Sequence, residues 1–192
     1  MRQSMRARLR ALTTEQCAMW SKGIVDRLMR DDAWAGSGGA VALFGGFEKE
    51  PHLLPLLAWL SDRGVCAALF AIQGHGLMSP YRVRGIEDLQ VGKFGVLEPK
   101  CETADNLNLS DLSVVLTPGL AFGGSDGARL GRGKGHYDRL FADQRCNARR
   151  IGVAFDVQII SAVATEAHDA AMHELVSESA WRKCGTGADK VP

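Results

Sequence analysis

The stretch Val114-Val115-Leu116-Thr117-Pro118-Gly119 is typical of a short apolar strand that ends at a turn. Similar apolar runs lie at residues 40–44 (AVALF), 65–70 (VCAALF) and 151–155 (IGVAF). Helical patterns lie between these runs. Continuous apolar strands that alternate with helices favour a parallel sheet that is covered on both faces. The sequence therefore predicts an α/β protein, a three-layer fold with a mainly parallel sheet flanked by helices on both faces.

The N-terminal segment carries two further helical patterns. Residues 2–12 place Met5, Leu9 and Leu12 on one face of a basic helix. Residues 13–16 (TTEQ) resemble a capping box that begins a second helix. The simplest interpretation of the basic helix is a solvated face, so its arginines alone indicate no function.

Length, charge and cysteine content limit the classes of protein that fit. The 192 residues suit a single domain, which we assign to residues 1–181, with a polar, frayed tail expected at 182–192. A formal net charge of +1 means that any anion site must be local. The five cysteines form no C-x-x-C pair, and no apolar run is long enough to span a membrane. We expect a cytoplasmic monomer that contacts neither membrane nor nucleic acid.

Residues 127–139 (GARLGRGKGHYDR) carry the strongest functional signal. Four glycines alternate there with three cations, Arg129, Arg132 and Lys134. Glycine lets backbone N–H groups approach an anion closely, and the cations add charge and donors. The segment is a candidate polyphosphate-binding loop, although its spacing equally allows a flexible surface loop.

The same segment matches neither of two familiar nucleotide motifs. The P-loop requires glycine where Ala128 stands and serine or threonine where Gly135 stands. The dinucleotide fingerprint requires glycine where His136 stands. Any phosphate binding here therefore follows another pattern.

Five blocks of the chain, in order, resemble the 5-formyltetrahydrofolate cyclo-ligase family. The longest joins residues 118–122 (PGLAF) to the segment 127–139. The other blocks are Arg2-x-x-x-Arg6, Glu50 after the first strand, residues 94–99 (FGVLEP), and a C-terminal set at 152–158, 166–169 and Glu178. Together they extend over about residues 2–178.

The resemblance implies conversion of 5-formyltetrahydrofolate to 5,10-methenyltetrahydrofolate. ATP would be the co-substrate and Mg²⁺ the cofactor, with release of ADP and phosphate. Phosphorylation of the formyl oxygen makes that oxygen leave as phosphate, so that N10 can attack the same carbon and close the ring. Phosphoryl transfer depends mainly on positioning and on neutralising charge.

The resemblance also assigns roles to individual residues. The ATP-binding residues would be Arg2, Arg6, Arg129, Leu130, Gly131, Arg132, Gly133, Lys134, Gly135, His136 and Tyr137. The substrate-binding residues would be Gly45, Glu50, Arg132, Gly133, Lys134, Gly135 and His136. Arg132 and Lys134 would be catalytic, and Asp138 and Asp169 would bind Mg²⁺. Without the resemblance, Glu50 is better explained as a solvated charge, and Asp169 could be a helix cap.

Two departures from the family pattern keep alternatives open. Gly45-Gly46 stands where the family has a larger residue, and His136 stands where it commonly has tyrosine. A paralogue that keeps the nucleotide site but acts on another small molecule would fit these departures. A second alternative is a phosphosugar isomerase or acyl-CoA-type enzyme on a related fold, which would not turn over ATP.

Overall fold

The computed structural model describes residues 1–36, 38–92, 95–166 and 169–185. Its helices are α1 Arg2–Arg10, α2 Thr14–Arg30, α3 Pro55–Asp62 and α4 His136–Ala142. Its strands are β1 Ala40–Leu43, β2 Ala67–Ile72, β3 Met78–Arg82, β4 Leu89–Val91, β5 Leu97–Pro99, β6 Leu112–Thr117, β7 Ala121–Gly123, β8 Arg129–Leu130, β9 Arg149–Val153, β10 Ile159–Ile160, β11 Glu174–Val176 and β12 Trp181–Lys183. Single 3-10 turns include Gly74–Gly76 and Asp156–Gln158.

Seven strands form the central sheet, in the order β12-β11-β9-β6-β1-β2-β3. Neighbouring strands from β11 to β2 run parallel, whereas β12 and β3 at the two edges pair antiparallel. Two small sheets accompany it, β10-β7-β8 and the β4-β5 hairpin. The predicted α/β fold with a mainly parallel sheet is confirmed.

The apolar strand β1 is buried on both faces, which explains its continuous hydrophobicity. Val41 and Leu43 pack into a core shared with α2 and α3. Ala40 and Ala42 face a second core, which includes Leu140 of α4. Helices therefore cover both faces of the sheet, and the three-layer prediction is confirmed.

The two N-terminal helices form as the sequence indicates. Thr13 accepts the backbone N–H of Gln16, and the Gln16 side chain accepts the N–H of Thr13, which completes the predicted capping box of α2. Met5 and Leu9 of α1 are buried in a small core with Leu130 of β8. This packing holds α1 beside the glycine-rich segment.

The prediction of a frayed tail from residue 182 is wrong for its first residues. Arg182 and Lys183 belong to β12, which pairs with β11, and the Cys184 N–H donates to the His173 carbonyl at 2.9 Å. Backbone pairing at a sheet edge tolerates polar side chains, because the outward face of the strand stays in water. Residues 186–192 lie outside the described part of the chain, and the single-domain assignment stays a prediction.

Among the described residues, no helix combines the length and the hydropathy that a membrane crossing requires.

Candidate active site

A cavity of about 350 Å³ opens at the carboxyl ends of β1 and β6. The chain leaves β1 toward β2 and leaves β6 toward β9, in opposite directions across the sheet. This is the topological switch point at which open α/β sheets bind ligands. Gly45 after β1 and Pro118 and Gly119 after β6 line the cavity.

The cavity wall has an apolar part and a cationic part. The apolar side chains are Leu43, Phe44, Phe47, Phe70, Ile72, Met78, Val96, Leu97 and Pro118. The cationic side chains are Arg6, Arg129, Arg132 and Lys134. A ligand that combines a flat apolar ring system with an anionic group would match this division.

The glycine-rich segment supplies most of the cationic wall. Gly133 and Gly135 have φ of 101° and 65°, which a residue with a side chain rarely adopts. Lys134 between them is exposed at the cavity, and its ammonium has no partner within the described residues. The Lys134 ammonium is therefore in a position to meet an anion that enters the cavity.

Arg129 is buried and ion-paired beneath this segment. Its Nη2 donates to Oδ1 of Asp138, and its Cζ lies 5.4 Å from the centroid of the Tyr137 ring. Its Nε is buried without a hydrogen-bond partner in the described chain. A buried donor without a partner is uncommon, and a bound phosphate oxygen could satisfy it.

Glu50 is buried, with 6% of its surface exposed, so the interpretation as a solvated charge is wrong. Its Oε1 accepts Nε and Nη2 of Arg132 at 2.9 and 2.7 Å, and its Oε2 accepts the N–H of Phe47 at 3.0 Å. The Arg132 guanidinium also lies 4.2 Å from the centroid of the Phe47 ring. Because burial of a charge is costly unless it is paired, these contacts fix both side chains.

Two arginines of α1 reach the glycine-rich segment. Arg2 Nε donates to the Gly131 carbonyl and Arg6 Nη2 to the Arg132 carbonyl, each at 3.1 Å. Both side chains keep solvent exposure, and Arg6 also lines the cavity. The basic face of α1 is therefore docked on the segment rather than only solvated.

His136 is tied to the turn between β2 and β3. Its Nδ1 lies 2.7 Å from the Gly76 carbonyl oxygen, so Nδ1 carries the proton and donates. Arg139 Nη2 donates to the same oxygen at 3.1 Å and to the Lys134 carbonyl at 2.9 Å. In the neutral tautomer, Nε2 of His136 then remains an acceptor.

The phenol of Tyr137 stays protonated at physiological pH. Burial raises its pKa well above the usual value, and the negative charge of Glu50 raises it further, against a smaller opposing effect of Arg129. The Tyr137 ring packs edge-on against Phe70, with centroids 6.3 Å apart. Tyr137 can therefore offer a hydrogen-bond donor at the border between the apolar and cationic walls.

The glycine at position 45 is required by packing. A side chain there would overlap the carbonyl oxygen of Leu97 in β5. The absence of a side chain lets the β4-β5 hairpin close against the end of β1. The departure from the family pattern at Gly45 thus shapes the cavity wall.

The chain matches the 5-formyltetrahydrofolate cyclo-ligase family over residues 1–178. It belongs to this family of enzymes. It is 29% identical over 178 residues to the 5-formyltetrahydrofolate cyclo-ligase of Escherichia coli K12, covering 91% of this chain and 97% of that protein. This membership removes the phosphosugar isomerase and acyl-CoA alternative.

Solved structures agree with the cyclo-ligase assignment. The 5,10-methenyltetrahydrofolate synthetase of Aquifex aeolicus superposes with a TM-score of 0.81 at 28% identity, covering 97% of this chain and 92% of that one. The synthetase of Mycoplasma pneumoniae gives a TM-score of 0.74, covering 92% and 96% of the two chains. At 16% identity the latter supports the fold alone.

The two aspartates that family resemblance assigns to Mg²⁺ occupy different settings. Asp138 lines the cavity beside Arg129. Asp169 is not among the cavity-lining residues, and its Oδ2 accepts the N–H of Glu166 at 2.8 Å. The described residues contain no cluster of three or more metal-binding side chains. Asp138 fits a Mg²⁺ ion that takes most of its ligands from phosphate and water, whereas the part of Asp169 stays a prediction.

Sequence reasoning missed most of the apolar wall and one carboxylate. Phe70 and Met78 come from β2 and β3, where an apolar strand gives no sign of facing a ligand. Glu98 lies within the block 94–99 that resembles the family, yet the resemblance gave it no role. The position of Glu98 in that block is the signal that could have found it. Phe94 of the same block lies outside the described residues.

Proposed function

We propose that this cyclo-ligase converts 5-formyltetrahydrofolate to 5,10-methenyltetrahydrofolate with ATP and Mg²⁺, releasing ADP and phosphate. The observation that carries the proposal is the unsatisfied Nε of buried Arg129, in a cavity that Lys134 also lines. Two cationic groups with donors that no described residue satisfies suit a polyphosphate, and the adjoining apolar wall suits a pteridine ring.

The transfer step needs the γ-phosphoryl group held in line with the formyl oxygen. Lys134 and Arg132 would neutralise the charge on the transferred group, and Arg129 would donate Nε to a phosphate oxygen. Arg2 and Arg6 hold the backbone of the segment through its carbonyls. Glu50 fixes the Arg132 side chain, so that its remaining donors can face the phosphate.

Ring closure follows from the same geometry. The formyl oxygen accepts the phosphoryl group, N10 attacks the formyl carbon and loses its proton to the departing phosphate, and the bond from that carbon to oxygen breaks as the phosphate leaves. Asp138, with Asp169 as the second ligand that the resemblance implies, would hold Mg²⁺, which would neutralise negative charge on the phosphate groups. The apolar wall excludes water from the reacting carbon, which protects it from hydrolysis.

The proposal also covers the cellular compartment and the oligomeric state of the enzyme. We propose a cytoplasmic monomer that acts on these small molecules alone. All five cysteines are free, which suits a reducing compartment. Light scattering of the purified protein tests the monomer, and a stable dimer would contradict it.

The second candidate function is that of a paralogue that acts on another substrate. His136 favours this candidate, because the family commonly has tyrosine at that position. The two candidates separate in one assay with purified protein, ATP, Mg²⁺ and 5-formyltetrahydrofolate. The cyclo-ligase produces the near-ultraviolet absorbance of the methenyl product, and produces none when ATP is omitted. A protein that binds nucleotide but never forms this product would be the paralogue.

A further inference from the structure

Three carboxylates among the described residues line the cavity: Glu50, Glu98 and Asp138. Two of them are occupied by protein donors. Glu50 accepts Arg132 and the N–H of Phe47, and Asp138 accepts Arg129. For Glu98, no cation or hydrogen-bond donor within the described chain contacts the carboxylate. A half-buried carboxylate with all its acceptor positions available suits a ligand that brings donors.

The position of Glu98 is fixed by its hairpin. In the β4-β5 ladder Glu98 lies opposite Gln90, and its carboxylate folds over Gly92. A side chain at position 92 would overlap that carboxylate, so glycine at this position leaves room for it. The preceding residue of β5, Leu97, is held against Gly45 at the end of β1. The carboxylate is therefore carried on a strand whose backbone packs against Gly45, which itself lines the cavity.

The neighbours of Glu98 are those of a ring-binding wall rather than of a phosphate site. Val96 and Leu97, which precede it in the chain, also line the cavity. No described Arg, Lys or His lies within ion-pair distance of it, whereas the cations gather on the glycine-rich segment. A bound polyphosphate would be repelled by Glu98, and a neutral ring with N–H groups would be attracted.

We propose that Glu98 binds the donor edge of the pteridine ring of the substrate. One carboxylate oxygen accepts the N3–H, and the other accepts the 2-amino group. The two parallel hydrogen bonds form a fork like that of a carboxylate with a guanidinium, and they are strong because the acceptor is charged. This role rests on the proposed function, since it requires a 2-amino-4-oxopteridine in the cavity.

Kinetics and binding of the variant Glu98→Gln test this role. Glutamine keeps the shape but replaces one acceptor oxygen with an NH₂ that opposes a substrate donor. We expect the KM for 5-formyltetrahydrofolate to rise about tenfold or more, with the KM for ATP unchanged. Glu98→Ala should show the same split between the two KM values. The matched control is Glu102→Gln, because Glu102 is exposed and does not line the cavity.

Isothermal titration with 5-formyltetrahydrofolate alone separates the failure of this inference from failure of the proposed function. If the wild type makes no methenyl product but binds the folate, the proposed function fails and a tenfold weaker complex for Glu98→Gln still supports the role of Glu98. If the wild type is active and both Glu98 variants keep their folate KM and affinity, the role of Glu98 is overturned. Equal rises in both KM values would also overturn it, because they indicate a disturbed hairpin. A wild type that binds no folate overturns both proposals.

Discussion

Arg132 donates both Nε and Nη2 to the same oxygen of Glu50, at 2.9 and 2.7 Å. This pair joins the loop after β1 to the glycine-rich segment, which are 82 residues apart in the chain. The carboxylate is almost fully buried, and the guanidinium is one-third exposed toward the cavity. We therefore propose that Glu50 acts on a bound phosphate indirectly, by orienting the Arg132 guanidinium.

Glu50→Gln should lower kcat/KM because it loosens Arg132. The loss of a charge-assisted, mostly buried contact costs about 1.5–3 kcal/mol, which corresponds to roughly tenfold or more in rate. Steady-state kinetics measure the change. Glu48→Gln is the control, since Glu48 is exposed and its one ion pair among the described residues is with Lys49. Equal kinetics for both variants would show that Glu50 does not orient Arg132 for catalysis.

Lys134→Ala should weaken the use of ATP more than the binding of folate. Its ammonium has no partner in the part of the chain that the structure describes, and the loss of a contact from it to phosphate should cost about tenfold or more in kcat/KM for ATP. Titration of nucleotide affinity checks the binding part, and Lys183→Ala of the β12 edge is the control. Unchanged nucleotide affinity together with unchanged turnover would indicate that the segment is only a surface loop.

Arg6→Ala should raise the KM for ATP although Arg6 is 126 residues from its partner Arg132. The variant removes a donor that holds the Arg132 carbonyl and a cation on the cavity wall. We expect a several-fold effect, of the size of one hydrogen bond. Arg10→Ala is the matched control, because Arg10 lies on the same helix and is exposed. If Arg6→Ala and Arg10→Ala behave alike, the basic face of α1 has no role in nucleotide binding.

Asp138→Asn and Asp169→Asn should be strongly non-additive in kcat if both side chains serve one Mg²⁺ ion. Extra Mg²⁺ should partly rescue each single variant. Asparagine at 138 keeps an oxygen that can accept from Arg129, which limits structural damage. Asp62→Asn, on the exposed end of α3, is the control. Additive losses without rescue by metal, or a loss of thermal stability alone for Asp169→Asn, would leave Asp138 as the supported ligand.

The sequence predicts the elements whose pattern is local. The capping box at Thr13 and Gln16 and the apolar strands β1 and β6 follow from side-chain chemistry within a few residues. The short strand β12 could not be predicted in this way, because it forms through backbone pairing with β11 and not through a local side-chain pattern.

The candidate site likewise has one part that local sequence patterns predict and one part that they do not. The glycine and cation pattern of residues 127–139 makes that segment a candidate phosphate-binding loop on local chemistry alone, although its spacing equally allows a surface loop. The pairing of Glu50 with Arg132 and the apolar wall from β2 and β3 depend on contacts between distant segments. Glu98 becomes a candidate only when the partners of all cavity carboxylates are compared.

The fate of the formyl oxygen tests the central claim most directly. The substrate is 5-formyltetrahydrofolate labelled with ¹⁸O in the formyl group, incubated with the enzyme, ATP and Mg²⁺. The proposed mechanism predicts that each methenyltetrahydrofolate formed is matched by one phosphate that carries the label, because the oxygen leaves with the transferred phosphoryl group. Methenyl product accompanied by unlabelled phosphate, with the label in water, would contradict it.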